Sequence, residues 1–494
     1  MHRGATPRCA QAAILTTLRP ICNPCRPLHT KPREPSGISS QEPLECPAAR
    51  PARCTPKSIR QTRRNPSIHA LPPGPDVIPR GGGGPARPKF SRTLLLVGGT
   101  SLLTDLSSEM VYPLLPFLVV GTLGASATVL GLIEGLAECL PSLVKVYVGR
   151  LSDRLGRRKS FAVFGYGLST CGKLLLALAS GWAPVLAGRV VDRLGKGIRS
   201  APRDALIAET TDRRHRGHAF GFHKSMDTAG ATLGVLVAYI ILTTASDPAA
   251  EGPSPLRVAL WVSVAPALLA VLLLSAVREP AVKVAPPVPP TTNQGLRARW
   301  RSLPPRLRIF LVVSLIFSLA GSTNQFLLLR AQELLTGGGE SPSQAAATVC
   351  LFYLLYNLTY TAASYPFGRL SDTVGRRPVL IAGYALYALI YACFAMNRDP
   401  AWCWALFGIY GLYPALTEGV EKAFISDHTP REVRATVLGL HGTLQAIGLL
   451  PASVIGGLLW DLVTPDATFW FAAFMGLLAA AGMMLIPRSP VNLE

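Results

Sequence analysis

The stretch Gly149 to Lys159 reads G-R-L-S-D-R-L-G-R-R-K and lies between two long apolar runs. It returns, thinned, at Gly368 to Arg377 as G-R-L-S-D-T-V-G-R-R, 219 residues further on and again between apolar runs. Each flanking run is long enough to cross a bilayer, which takes about 20 apolar residues. Two copies of one charged, glycine-marked turn in this setting imply a duplicated membrane protein with matching loops on one face. Gly149 and Gly156 permit a tight turn and close helix approach, and Asp153 is placed to cap or pair with a neighbouring helix end. Arg154, Arg157, Arg158 and Lys159 hold the loop at anionic lipid. A generic basic loop would explain one copy, but it would not repeat G-x-L-S-D-x-x-G-R-R.

Composition agrees. Of 494 residues, 49% are hydrophobic and only 16% charged, against about 25% charged in soluble domains. The formal charge of +21 suggests nucleic acid until its distribution is considered. Residues 1–90 hold fifteen Lys and Arg against four acids, just over half of the excess. The rest lies in loops, so no nucleic-acid partner is expected. That first segment also contains 17 of the 43 prolines and the run Gly81 to Gly84, which marks a disordered extension. Being Arg-rich and acid-poor, it reads either as an organelle transit peptide or as a translation start placed too far upstream. It has no apolar core with a cleavage site, so a secretory signal is not expected. Cys22-Asn-Pro-Cys25 has metal or redox spacing but no second pair, and neither a metal site nor a cofactor is expected.

From Thr93 the hydrophobic runs number twelve, at 93–120, 127–148, 161–181, 184–207, 217–245, 257–277, 308–335, 343–367, 378–397, 401–425, 435–460 and 467–487. The expectation is an all-α polytopic membrane protein with two pseudo-symmetric six-helix bundles. Its parts are an extension at 1–92, bundles at 93–277 and 308–487, a basic Pro-rich linker at 278–307 and a tail at 488–494. Alternate loops carry 20 basic residues on one side and only Arg398 on the other. The positive-inside rule then puts both termini in the cytoplasm. A cell membrane is expected, or an organelle membrane if residues 1–90 are a transit peptide. The duplication holds elsewhere: at an offset of 218, Ala205 pairs with Ala423, Ile207 with Ile425, Gly221 with Gly439, His223 with His441 and Gly230 with Gly448.

On these residues the chain resembles the major facilitator superfamily. The quoted stretch is similar to the family's loop between helices 2 and 3, and its copy to the loop between helices 8 and 9. The resemblance covers roughly residues 93–487 and implies six plus six helices, each half built from inverted repeats. It further implies alternating access, with the loops as gate latches through Gly149, Asp153, Arg154, Gly156, Arg157, Arg158, Gly368, Asp372, Gly375 and Arg376.

Charges in mid-span cost about 2.5–3.5 kcal/mol on insertion scales and by default mark a cavity or relay. Asp105 and Glu109 in the first span are four residues apart, as are Glu134 and Glu138 in the second, so each pair shares a helical face. The fourth span supplies Arg189, Asp192, Arg193, Lys196 and Arg199. Its Arg and Gly placement is similar to the family's helix-4 motif, which implies a proton-coupling role for Arg189. Two carboxylates on one face do not both ionise cheaply without a cation nearby, and that is the chemistry of proton coupling. A permanent ion-pair network among the same residues is the equal alternative. The fifth span carries His223, Lys224 and Asp227 among Gly221, Gly230 and Gly234, which suit close helix contact. The family's antiporters have a related glycine motif with a proline where this chain has Ala231, which weakens an antiport reading. The second half offers Glu418, His441, Gln445, Asn324 and Gln325, with Glu421 and Lys422 read as one local pair. Tyr353, Tyr356 and Tyr360 form a helical stripe that serves either packing or a cavity wall.

The sequence reading is therefore a monomeric, proton-coupled secondary transporter of a small solute, similar to bacterial drug and metabolite exporters. Uptake of a polar or anionic metabolite is the alternative favoured by the cationic fourth span. A non-transporting sensor or assembly partner is the alternative of another class. No nucleophile–base–orienter set argues for an enzyme, and no ATP-binding loop is present.

Overall fold

Caps, prolines and glycines divide the apolar runs into helices. The computed structural model describes residues 91–211, 215–244, 254–278, 303–321, 324–429 and 433–487, among which there is no strand. All belong to one unit, Gly83–Glu494. The Cys22–Cys25 pair, nearly all of the basic extension, most of the linker and the tail lie outside the described residues.

The first bundle comprises α1 (Arg92–Val111), α2 (Ala127–Leu155), α3 (Arg158–Leu178), α4 (Trp182–Glu209), α5 (Arg216–Thr244) and α6 (Pro255–Ser275). The second comprises α7 (Pro305–Ala320 then Gln325–Gly337), α8 (Pro342–Val374), α9 (Arg376–Met396), α10 (Trp402–Tyr410 then Leu412–Asp427), α11 (Arg434–Leu462) and α12 (Pro465–Met484). The Ser91 hydroxyl accepts from the Leu94 N–H and starts α1, satisfying one of the orphan donors of a first turn. Past Val111 the chain continues as a 3₁₀ turn at Tyr112–Leu114 and a π turn at Phe117–Thr122. Pro113 and Pro116 withhold the amide donors a regular helix would need there. Among the described residues, nine helices are long and apolar enough to cross a membrane. The other three crossings are α1, which passes into those irregular turns, α4, with five charges between Arg189 and Arg199, and α10, split at Gly411.

The repeated stretch is mostly helix rather than loop. α2 runs on to Leu155, and the turn is Gly156, at φ 64°, with Arg157. In the second copy α8 reaches Val374, and Gly375, at φ 96° and ψ 153°, alone separates it from α9. That conformation is essentially restricted to glycine. Gly149 therefore makes no turn; it sits inside α2, where a Cβ would lie 3.3 Å from the Cβ of Ala201 on α4. Gly368 lies within α8 with open space around it.

Glycines bring the backbones of α1 and α5 together: a Cβ at Gly230 or Gly234 would stand 2.2 Å from the Leu102 carbonyl oxygen or 2.3 Å from that of Leu106. Gly221, expected to act likewise, has nothing within 4 Å. The halves meet in the same way at the end remote from the Gly156 and Gly375 turns, where Gly457 of α11 lies on the Thr128 backbone and Gly131 of α2 on the Ser453 carbonyl. Asp461 completes this seam. Its carboxylate accepts from the Ala127 N–H at 3.0 Å, the Thr128 N–H at 2.8 Å and the Thr128 hydroxyl at 2.5 Å.

The apolar core follows the same asymmetry. At the remote end one core runs through both halves, joining Met110, Leu115 and Leu130 to Phe326, Tyr391 and Phe469. Toward the turns it divides in two. One part, with Val97, Tyr166 and Leu206, belongs to the first half; the other, with Phe310, Tyr384 and Phe424, belongs to the second. The apolar core is thus continuous across the halves at the remote end and divided between them at the turn end.

Candidate functional site

Where the shared core stops, α1, α2, α3 and α4 present charges to one another. The Arg189 guanidinium donates from Nε to Glu134 Oε1 at 2.8 Å, with Nη2 at 2.6 Å from the same oxygen. Both side chains are buried, at 2% and 0% exposure. Asp192 Oδ2 lies 3.9 Å from Arg189 and 4.0 Å from Arg193, and Arg193 reaches Glu138 at 3.5 Å. The i,i+4 spacings of Glu134 with Glu138 and of Arg189 with Arg193 thus set two carboxylates of α2 opposite two guanidiniums of α4. Arg199 donates to the Ser169 hydroxyl at 2.8 Å and lies over the Tyr166 ring, 4.5 Å from its centroid.

Asp105 and Glu109 sit one turn apart on α1, half-buried. Asp105 faces Asp227 of α5 together with Lys196, Arg199 and Arg203 of α4. Glu109 faces Lys196 and Arg193 and accepts a hydrogen bond from the Tyr353 hydroxyl of α8 at 2.9 Å. That bond links the charged cluster of the first half to the second half.

The two histidines occupy equivalent places. His223 Nε2 is 2.7 Å from the Ser101 hydroxyl, and its Nδ1 lies 3.6 Å from Asp227. His441 Nε2 is 2.9 Å from the Ser314 hydroxyl. The residue beside it is Glu421, 3.3 Å away, which also accepts from the Tyr384 hydroxyl at 2.7 Å and Gln445 at 2.9 Å. Glu421 is therefore not paired with its exposed neighbour Lys422, as adjacency in sequence suggested; successive residues on a helix point to different faces. The position equivalent to Glu421 at the 218-residue offset is Arg203, and that equivalent to Tyr384 is Tyr166. The same polar knot is built twice, around a cation in one half and an anion in the other.

Ten of the twelve candidate site residues, Asp105, Glu109, Glu134, Glu138, Arg189, Asp192, Arg193, Lys196, His223 and Asp227, collect in the first half. Glu418 and His441 stand apart from them in the second, where Glu418 accepts from the Tyr360 hydroxyl at 2.9 Å. Lys173 of α3 escaped the sequence reading. It is buried at 2% exposure and donates to the Ser108 hydroxyl at 3.0 Å and the Thr104 carbonyl at 3.4 Å, facing Asp192 and Asp105. Its signal was present as a single cation in the middle of the third apolar run.

The latch residues are also duplicated. Arg158 binds Asp153, reaches Glu209 at 3.1 Å and donates to the Ser152 hydroxyl at 3.5 Å. Arg376 binds Asp372 at 2.5 Å, Asp427 at 3.1 Å and the Ser371 hydroxyl at 2.6 Å. Each set ties the turn to the end of the next-but-one helix within its own half. Arg154 and Arg157 are exposed.

Two matched six-helix halves that share one apolar core at one end, keep separate cores at the other and carry a charged interior where the core divides have the architecture of a secondary transporter. The model of the Major Facilitator Superfamily matches residues 97–336 and 339–494, and the chain belongs to that family. It is 35% identical over 398 residues to an uncharacterized MFS-type transporter of Methanocaldococcus jannaschii, covering 81% of this chain and 95% of that one. A probable 4-methylmuconolactone transporter of Cupriavidus pinatubonensis is 25% identical over 78% of this chain and 88% of its own length. Among solved structures, the nucleoside transporter NupG superposes with a TM-score of 0.65 at 13% identity, covering 80% of this chain and 99% of that one. This last likeness is one of fold. The protein is a multi-pass membrane transporter of small solutes.

Proposed function

We propose that this chain is a proton-coupled transporter working by alternating access, with the cluster of Asp105, Glu109, Glu134, Glu138, Arg189, Asp192, Arg193, Lys196, His223 and Asp227 as its coupling site. The observation that carries this reading is the position of the cluster: it lies where the common core divides, and the Glu109–Tyr353 bond crosses from one half to the other. Carboxylates that face both cations and a like charge change partners when the halves rock, and a proton is the smallest partner available.

The excess of basic residues in the Gly156-side loops puts the turn end and both termini in the cytoplasm of a cell-membrane protein, so the arrangement described is the inward-open one. The bundles at 93–277 and 308–487 act as rigid bodies, joined by the linker at 278–307, and a single chain suffices. Nothing in this cycle requires bond-making chemistry, so the chain acts as a transporter rather than an enzyme. In the outward-open state the Asp153 and Asp372 latches close across the halves at the cytoplasmic mouth. Export, the direction suggested by resemblance to drug exporters, would suit an apolar chamber. The exposed Lys196 instead favours the second reading, uptake of a polar or anionic metabolite.

Proteoliposomes with an imposed pH gradient test the proposal. Solute accumulation that a protonophore abolishes supports coupling; accumulation indifferent to the protonophore refutes coupling, and no movement of any solute refutes transport.

A further inference from the structure

We propose that the chamber takes an organic anion carrying a planar ring, an aromatic monocarboxylate in chemical class, with its carboxylate on Lys196 and its ring against the tyrosine stripe of α8. This deepens the transport reading above and rests on it for movement, though not for binding.

The first observation is that Lys196 stands apart from the other cations. Arg189 and Arg193 are committed to Glu134 and Glu138, Arg199 to Ser169 and Tyr166, and Lys173 to Ser108. Among the described residues the Lys196 ammonium makes no hydrogen bond and no ion pair within 4.0 Å, and it is exposed although Gly195 and Gly197 on either side are buried. Its charged neighbours are Arg193, Glu138, Asp105 and Arg199, all interior groups, so its exposure is to the space between the halves. An ammonium turned toward hydrocarbon is costly; turned toward the space between the halves it is available to an anion.

The second observation is what lies next to it. Glu109, which faces Lys196, holds the hydroxyl of Tyr353. From there Tyr353 stacks on Tyr356 at 5.7 Å and 25°, and Tyr356 on Tyr360 at 6.4 Å and 13°. Tyr356 and Tyr360 are only half-buried. The hydroxyls at the two ends of the stripe are spent on Glu109 and Glu418, and Tyr356 also packs on Tyr410 with ring centroids 5.2 Å apart, so what the stripe offers a solute is half-buried aromatic surface more than free donors. Such a wall suits an offset-stacked ring, at the roughly 4.5–7 Å separations aromatic pairs prefer, and reads a polyhydroxylated solute poorly. A proton on Asp105 or Glu109 entering together with the anion leaves the net charge of the chamber unchanged, which couples the two.

The test separates binding from flux, using full-length protein in nanodiscs and in liposomes. Equilibrium binding is measured with radiolabelled benzoate, 4-hydroxybenzoate and cinnamate, and compared with benzyl alcohol and benzylamine. The carboxylates should bind in preference to the neutral and cationic compounds. Lys196→Gln should weaken them on the order of tenfold to a hundredfold, the range for losing a charged hydrogen-bond partner. Lys196→Arg should restore most of the affinity, which separates charge from misfolding. Tyr356→Leu should weaken binding by about two- to tenfold. Equal binding of benzyl alcohol or benzylamine, unaltered carboxylate binding in Lys196→Gln, or no carboxylate binding at all would overturn the proposal. Carboxylate binding without flux would keep this site and refute the transport reading; flux of neutral solutes with no carboxylate binding would do the reverse.

Discussion

Replacing Asp461 by alanine should loosen the seal at the remote end of the bundle. In the arrangement described, its carboxylate receives the first two backbone N–H groups of α2 and the Thr128 hydroxyl, joining the last turn of α11 to the first turn of α2. These contacts link opposite halves, so they exist only while that end is closed and their loss falls on one conformational state. Asp461 is exposed, and water replaces part of what is lost. The relevant magnitude is that of a helix N-cap, about 0.5–2 kcal/mol, rather than the sum of three charged hydrogen bonds. A loss of about 1–2 kcal/mol changes a two-state ratio roughly 5- to 30-fold. Spin labels at Thr122→Cys and Val463→Cys, in a background without native cysteines, report the width of that end by pulsed electron resonance. The long-distance population should grow by such a factor in Asp461→Ala and by less in Asp461→Asn, which keeps one acceptor. An unchanged distance distribution in folded protein would refute the latch reasoning.

Other variants probe the remaining contacts. Arg189→Ala strands the fully buried Glu134 and should cost about 3–5 kcal/mol, whereas the double change Glu134→Leu with Arg189→Met should cost much less; thermal unfolding in detergent distinguishes them. Gly457→Leu puts a Cβ 2.5 Å from the Thr128 Cα, so the seam must part, and the same spin labels should move apart further than in Asp461→Ala. Arg158→Ala and Arg376→Ala remove partly exposed pairs worth about 0.2–1 kcal/mol each. Their melting temperatures should hardly move while turnover falls, and a turnover equal to wild type would deny the latches a role in the cycle.

Twelve crossings and the duplication were legible because hydrophobic length and a constant residue offset are properties of the chain itself. The extent of the helices was not. Gly149 and Gly368 looked like turn glycines beside charges, but arginines and aspartates at a membrane surface are as content in a helix as in a loop. Of the glycines in the two copies, only Gly156 and Gly375 carry the positive φ of a turn. In the site, i,i+4 spacing was enough to anticipate which carboxylates share a face. The pairing of Glu134 with Arg189 and the bond from Tyr353 to Glu109 depend on how separate helices cross, which spacing does not encode. A single lysine in an apolar run, such as Lys173, carries no spacing that ties it to a partner; its burial against Ser108 depends on how α3 packs on α1. Glu421 was misassigned for a related reason, since its true partners Tyr384, His441 and Gln445 belong to other helices.

The central claim is that the acid and base cluster of α1, α2, α4 and α5 carries the coupled proton. The direct measurement is solute-evoked proton flux in proteoliposomes, comparing wild type with Asp105→Asn and Arg189→Ala. The account predicts a solute-dependent pH change in wild type that both variants lose. Solute movement that persists in both, without proton movement in any of the three proteins, would contradict it and leave the cluster a fixed structural network.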